Sequence, residues 1–208
     1  MGLTVEQKQA EGNRVSDEMK AYTDPALAAI YGVISKQKGL LVGSGTFIRL
    51  QGSPYLLTAA HVILENTRYD FLAHTTSYGA KPAPIVHPFQ VMPPPIDLAV
   101  ARVEEDVVAK HGIEPWNVDA IDTTSFAIER DILFVHGYPG DNSKWIPIVR
   151  GGIHSTSLPF WTSDGKSDWG QFDPVKHAAI MYPRDGWFDR DGNSIPMPLP
   201  DGLSGSAL

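Results

Sequence analysis

The 208 residues carry 42% hydrophobic and 20% charged side chains, the balance of a folded chain with apolar surface for one large domain or two small lobes. The net charge of -7, with no basic run, excludes non-specific binding to nucleic acid or anionic membrane, since either needs a cationic face. The absence of cysteine excludes a disulfide framework, a zinc-thiolate site and a cysteine nucleophile.

In chain order, Met1 to Lys20 is polar and charged, with no apolar segment ahead of a small-residue cleavage site, and no later apolar run approaches the roughly 20 residues of a membrane span. A cytoplasmic location is therefore expected. Residues 4 to 22 predict a helix, because Thr4 and Gln7 have capping-box spacing and Val5, Val15, Met19 and Tyr22 share part of one face. Gly12 and Asn13 weaken it. Residues 1–28 thus read as an N-terminal helical extension, and Asp24-Pro25 opens a short turn.

From Ala29 the pattern becomes one of short apolar runs divided by Gly, Pro and polar turns, the signature of an all-β fold. Ile30–Ile34, Leu40–Leu50 and Pro54–Thr58 predict an antiparallel meander, with Gly43 and Gly45 marking a bend or a close backbone approach. The third strand runs into Ala59-Ala60-His61-Val62-Ile63-Leu64, a short helix, which sets His61 at a strand-to-helix junction. Strands are expected over Tyr69–Ala73 and Ile85–Val91. Pro93-Pro94-Pro95, unable to donate to a ladder, then leads into a strand over Ile96–Val103 with Asp97 near its start. Residues 29–118 make a first lobe, and the more acidic stretch from 104 onward leads out of it, with 119–130 as the connection. A second lobe, 131–208, opens with Asp131–His136 and continues through Trp145–Ile148, Val149–Thr156 and His177–Tyr182.

Three short segments carry chemistry. A serine hydroxyl is a poor nucleophile near neutral pH unless a base lies within hydrogen-bond reach and a carboxylate fixes the tautomer of that base. His61, Asp97 and Ser204 supply those residue types in that order. In Gly202-Leu203-Ser204-Gly205, glycine ahead of the serine permits the amides of Gly202 and Ser204 to point into one hole. Each segment alone has a plainer reading: a Gly/Ser turn, a packed histidine, and an aspartate in a turn beside proline. Their conjunction favours the chemical one.

At these residues the chain resembles the trypsin-like serine proteases of the chymotrypsin fold, in particular the cysteine-free bacterial members. Thr58-Ala59-Ala60-His61 is similar to the family's histidine motif, Asp97-Leu98-Ala99-Val100 to its aspartate motif, and Gly202-Leu203-Ser204-Gly205-Ser206 to its serine motif. Phe134 to Pro139 resembles its early second-barrel strand. The resemblance implies an all-β, two-lobed antiparallel double β-barrel that hydrolyses a protein or peptide substrate without a cofactor. It further implies His61 as general base and then acid, Asp97 as its orienting partner, Ser204 as nucleophile, and the Gly202 and Ser204 amides as the oxyanion hole. A non-catalytic peptide-binding or regulatory module with a vestigial triad is the alternative.

Three departures qualify the resemblance. Pro198 stands six residues before Ser204, where trypsin has a carboxylate, so cleavage after Lys or Arg is not expected. The start of zymogen-derived members is missing. The family's chains also continue for several strands past the serine, so the second barrel is expected to be truncated here, the sequence to be a fragment, and its turnover of peptides to be low. Elsewhere, Asp189 to Asn193 lacks the spacing of a calcium loop and predicts a hairpin turn. His74, His87, His111, His136, His154 and His177 show no HExxH or His-x3-His spacing, so no metal is expected. Trp161, Trp169 and Trp187 read as core or loop-packing residues, with substrate contact as the lesser alternative.

Overall fold

A computed structural model of the chain describes residues 4–35, 38–76, 82–120, 133–140, 143–144, 154–155, 157–162, 165, 170, 180–182, 187–188, 193–200 and 202–206. Helix α1, Val5–Thr23, begins with the expected capping box: Thr4 accepts from the Gln7 amide while the Gln7 side chain returns to the Thr4 amide. Gly12 does not break it, and Arg14 pairs on either side with Glu11 and Glu18. Asp24 is the C-cap residue of α1 and opens a 3-10 turn, Asp24–Ala26, with Pro25 near its start.

Strand β1 follows at once, Leu27–Ser35, and its residues from 27 to 33 are buried. The cause is visible in how its side chains divide. Ala28 and Ile30 enter a core with Phe47, Leu56 and Val62, whereas Leu27, Ala29 and Tyr31 enter another with Tyr138. Successive side chains point to opposite faces of a strand, so a strand covered on both faces reads as a continuous apolar run.

Around β1 an eight-stranded sheet is built from β2 (Lys38–Leu50), β3 (Ser53–Thr58), β4 (Phe71–Thr75), β5 (Ala83–Pro84), β6 (Gln90–Met92), β7 (Leu98–Arg102) and β8 (Trp116–Asn117). Its order is β5-β4-β1-β2-β3-β7-β6, all antiparallel, with β8 alongside β2 in parallel. The register shifts between Ile30 and Tyr31, which face Gly43 and Leu41, so Val42 is the extra residue of a bulge in β2. Two short helices complete this region, α2 (Ala60–Leu64) and α3 (Glu105–His111).

Beyond residue 132, β9 (Leu133–Gly137) pairs with β12 (Leu158–Thr162), β10 (Ser143–Lys144) with β11 (His154–Ser155), and β13 (Trp187–Phe188) with β14 (Ser194–Ile195), each antiparallel. Val135 and Met197 centre a third core there, with Leu203 packed against it.

The protein is mostly antiparallel β-sheet with an N-terminal helix. Among the described residues no sheet closes into a barrel. Several local expectations shift. Ile85–Val91 is not one strand: Ile85 lies just past β5, and only Gln90 and Val91 fall in β6. The strand expected from Ile96 starts at Leu98, since Asp97 has a φ of 54°, which a strand does not admit. The stretch from 104 to 117 is no mere link: α3 packs against β3, and β8 extends the first sheet. Antiparallel β13 and β14 flank the expected hairpin at Asp189 to Asn193, whose tip, 189–192, lies outside the described residues, as do Trp145–Ile148, residues 121–132, His177, Trp169 and the side chains of Trp161 and Trp187.

Candidate active site

β3 and β7 deliver two of the three side chains. Their pairing joins Thr58 to Ala99, and carried two residues further it sets Asp97 opposite Ala60. There the Ala60 N–H donates to the Asp97 carbonyl at 3.1 Å, so the turn before β7 meets the start of α2. Ala59, at the N-cap of α2, offers no side-chain acceptor. Asp97 substitutes for one: its Oδ1 accepts the His61 N–H at 2.8 Å. Burial of Ala60 and Val62 anchors the helix, and the His61 side chain between them keeps 40% of its exposure.

The second carboxylate oxygen lies 2.6 Å from His61 Nδ1. A carboxylate only accepts, so Nδ1 carries the proton of the neutral ring and Nε2 offers a lone pair. Ser204 Oγ stands 2.8 Å from that Nε2. The structure therefore brings His61, Asp97 and Ser204, separated by 36 and 143 positions from the histidine, into one hydrogen-bonded line. A hydroxyl so placed gives its proton to the imidazole as its oxygen bonds to an electrophile.

The loop carrying Ser204 is held from outside. Gly202 has a φ of 89°, and a Cβ there would lie 2.7 Å from the Tyr138 carbonyl oxygen, so only glycine fits. The Leu203 N–H donates to the Pro200 carbonyl at 3.0 Å, and the Leu203 carbonyl accepts from the Ser206 N–H at 2.9 Å. Among the described residues the N–H groups of Gly202 and Ser204 have no acceptor, leaving both to a ligand. Gly43 lies on the opposite wall: a Cβ there would meet Val62 at 2.7 Å and the Ser204 carbonyl at 3.4 Å, the close backbone approach expected of this strand. A groove of about 430 Å³ opens between these walls, with His61 and Ser204 at one place and Leu40, Arg68 and Tyr69 along it.

No protein-family model matches the chain, and no curated protein matches it. Among the solved structures it is similar to, two share 17% identity with it. One comes from work on aromatic interactions that drive the coupled folding and binding of the intrinsically disordered VPg protein of Sesbania mosaic virus; it overlays with a TM-score of 0.39, covering 75% of this chain and 72% of that one. The other is the Rv3671c protease of M. tuberculosis in its active form, with a TM-score of 0.40, covering 94% of this chain and 80% of that one. Overlaps this low fix neither family nor activity.

The remaining sequence candidates fall elsewhere. Pro198 accepts the Tyr182 hydroxyl at its carbonyl. His74 and His136 are buried, and burial, aided for His74 by neighbouring His111, holds its pKa down to about 4. Burial also lowers His136, against the pull of Asp24, whose Oδ1 is 3.5 Å from Nε2. His87 pairs with Glu104. Among the described residues no three His, Cys, Asp or Glu side chains gather as metal ligands, and no helix is long and apolar enough to cross a membrane. Sequence reasoning missed Ser44, which bonds the Ser204 loop twice and the Tyr138 amide once; its signal was a polar residue between Gly43 and Gly45 inside an apolar strand.

Proposed function

We propose that the protein is a serine endopeptidase of the trypsin-like type, acting on protein or peptide substrates without a cofactor. The observation that supports this reading is the line from the Asp97 carboxylate through both ring nitrogens of His61 to the Ser204 hydroxyl, at 2.6 and 2.8 Å. With it goes the finer architecture: two antiparallel barrels, one over 29–118 and one over 131–208, joined by 119–130, with the groove between them.

In this mechanism Ser204 Oγ bonds to the scissile carbonyl carbon while His61 Nε2 takes its proton. The carbonyl π pair moves onto oxygen, and the amides of Gly202 and Ser204 receive that oxyanion. Asp97 stays ionised, holds the Nδ1 proton and stabilises the imidazolium. Collapse restores the C=O bond and breaks the C–N bond, the departing amine taking the proton from Nε2. Water then repeats the sequence against the acyl-serine, releasing the acid and regenerating the hydroxyl.

A fluorophosphonate tests the reading, because it needs the nucleophile, the base and the hole but little of a substrate pocket. The chain is expected to be labelled at Ser204, and Ser204→Ala to abolish the label. Undiminished labelling of that variant would mean another nucleophile. Peptide binding by a folded chain that takes no label would favour the non-catalytic alternative.

A further inference from the structure

We infer that Ser44 is a positioning residue whose hydroxyl keeps the oxyanion hole open by fixing the orientation of the Gly202–Leu203 peptide. The inference rests on the peptidase reading and adds a residue that the three motifs do not contain.

Ser44 lies in β2, fully buried, just past the bulge at Val42. Its hydroxyl accepts the Tyr138 N–H at 2.8 Å and lies 2.8 Å from the Gly202 carbonyl oxygen. Because the Tyr138 amide is a donor and the Gly202 carbonyl an acceptor, the single hydroxyl proton is committed to Gly202. The Ser44 N–H meanwhile donates to the Ser204 carbonyl at 2.8 Å, and its own carbonyl is held by the Thr58 hydroxyl at 2.7 Å. One residue thus ties β2, the turn after β9, the end of β3 and the serine loop together.

The consequence follows from peptide planarity. A trans peptide sends its C=O and N–H in opposite directions, so fixing one end aims the other. The Gly202–Leu203 peptide is held at both ends, by Ser44 at its carbonyl and by Pro200 at its amide. The Leu203–Ser204 peptide is held at its carbonyl by Ser206, which aims the Ser204 N–H the other way. The carbonyls of Gly202, Leu203 and Ser204 are all occupied, while the two amides left over are those assigned to the hole. Without the hydroxyl, the Gly202 carbonyl loses its donor, and rotation about this glycine, which has no Cβ to restrain it, turns an acceptor toward the site where negative charge develops. Ser44 itself is fully buried, so the donor is lost from the protein side of that carbonyl.

Ser44→Ala removes the hydroxyl and keeps the backbone bond to Ser204. With a fluorophosphonate, the limiting labelling rate is expected to fall by roughly 10- to 100-fold, the scale of weakening one oxyanion donor, while the half-saturating concentration stays within about twofold. Ile30→Val, a buried substitution in the strand beside Ser44, is the control for general loosening and is expected to label at the wild-type rate. Ser44→Thr, which keeps the hydroxyl, is expected to label faster than Ser44→Val, which matches its shape without it. If the alanine variant does not fold, the threonine and valine pair carries the comparison. Wild-type labelling in a folded Ser44→Ala, equal rates for the pair, or an equal loss in Ile30→Val would overturn the inference. Labelling that survives Ser204→Ala, or a wild-type chain that takes no label, would instead defeat the peptidase reading and this inference with it.

Discussion

At the scale of single residues, Asp97 carries two duties that a different side chain would separate. Its backbone sits in the left-handed region, which aspartate tolerates better than most residues, and from there its carbonyl and carboxylate both meet the start of α2. Asp97→Asn keeps that backbone and an oxygen for the His61 amide, but its NH2 group cannot accept the Nδ1 proton and selects the wrong tautomer. The labelling rate of Ser204 is therefore expected to fall on the order of 10⁴-fold with the far-ultraviolet spectrum unchanged, as stopped-time labelling and circular dichroism would read. These positions were legible in the sequence because the histidine and serine lie in short motifs with local backbone demands. The doubled role of Asp97 was not, because it depends on a pairing between β3 and β7 that only the fold supplies.

At the scale of elements, α1 is secured chiefly at its C-terminal end. Its body is largely exposed, whereas Thr23 is buried with its hydroxyl 2.5 Å from His136 Nδ1, and Tyr22 stacks on Trp116 at 5.6 Å. The helix therefore bridges the first sheet, through Trp116 in β8, and the β9 region, through His136. Thr23→Val preserves shape and leaves a buried ring nitrogen without its partner, which costs about 1–3 kcal/mol. In a chain of this length that is a fall in Tm of about 2–4 °C per kcal/mol, measurable by calorimetry. The helix and its cap were readable from Thr4, Gln7 and the apolar spacing. Its docking was hidden, since Thr23 and His136 are 113 positions apart and neither carries a local sign of the other.

At the scale of the molecule, acid should loosen the fold through its two buried histidines. Their folded pKa values lie below the ordinary 6.5, for His74 at about 4, so the unfolded chain binds more protons between those limits. Stability is then complete above about pH 6.5 and falls as pH drops toward 4, by at most about 1.4 kcal/mol per pH unit for each histidine. Urea midpoints measured across that range should decline, and His74→Gln should flatten the slope; a flat profile in the wild-type chain would mean these rings are not buried neutral. The β character and the meander of β1 to β3 were legible from run lengths and turns, because those contacts are local. Closure of the sheets was not, because it is decided by pairings between distant segments. That same distance shapes how the site comes into being. The Ser204 loop takes its form from Ser44, 158 residues before Gly202, so it cannot be set until β2 and the β9 turn are already in place. On the peptidase reading, a half-folded chain, whose own loose segments would be the nearest cleavable peptide, would therefore hold a serine without its base or its hole. For the proposed peptidase, that order of assembly would guard the molecule against cutting itself.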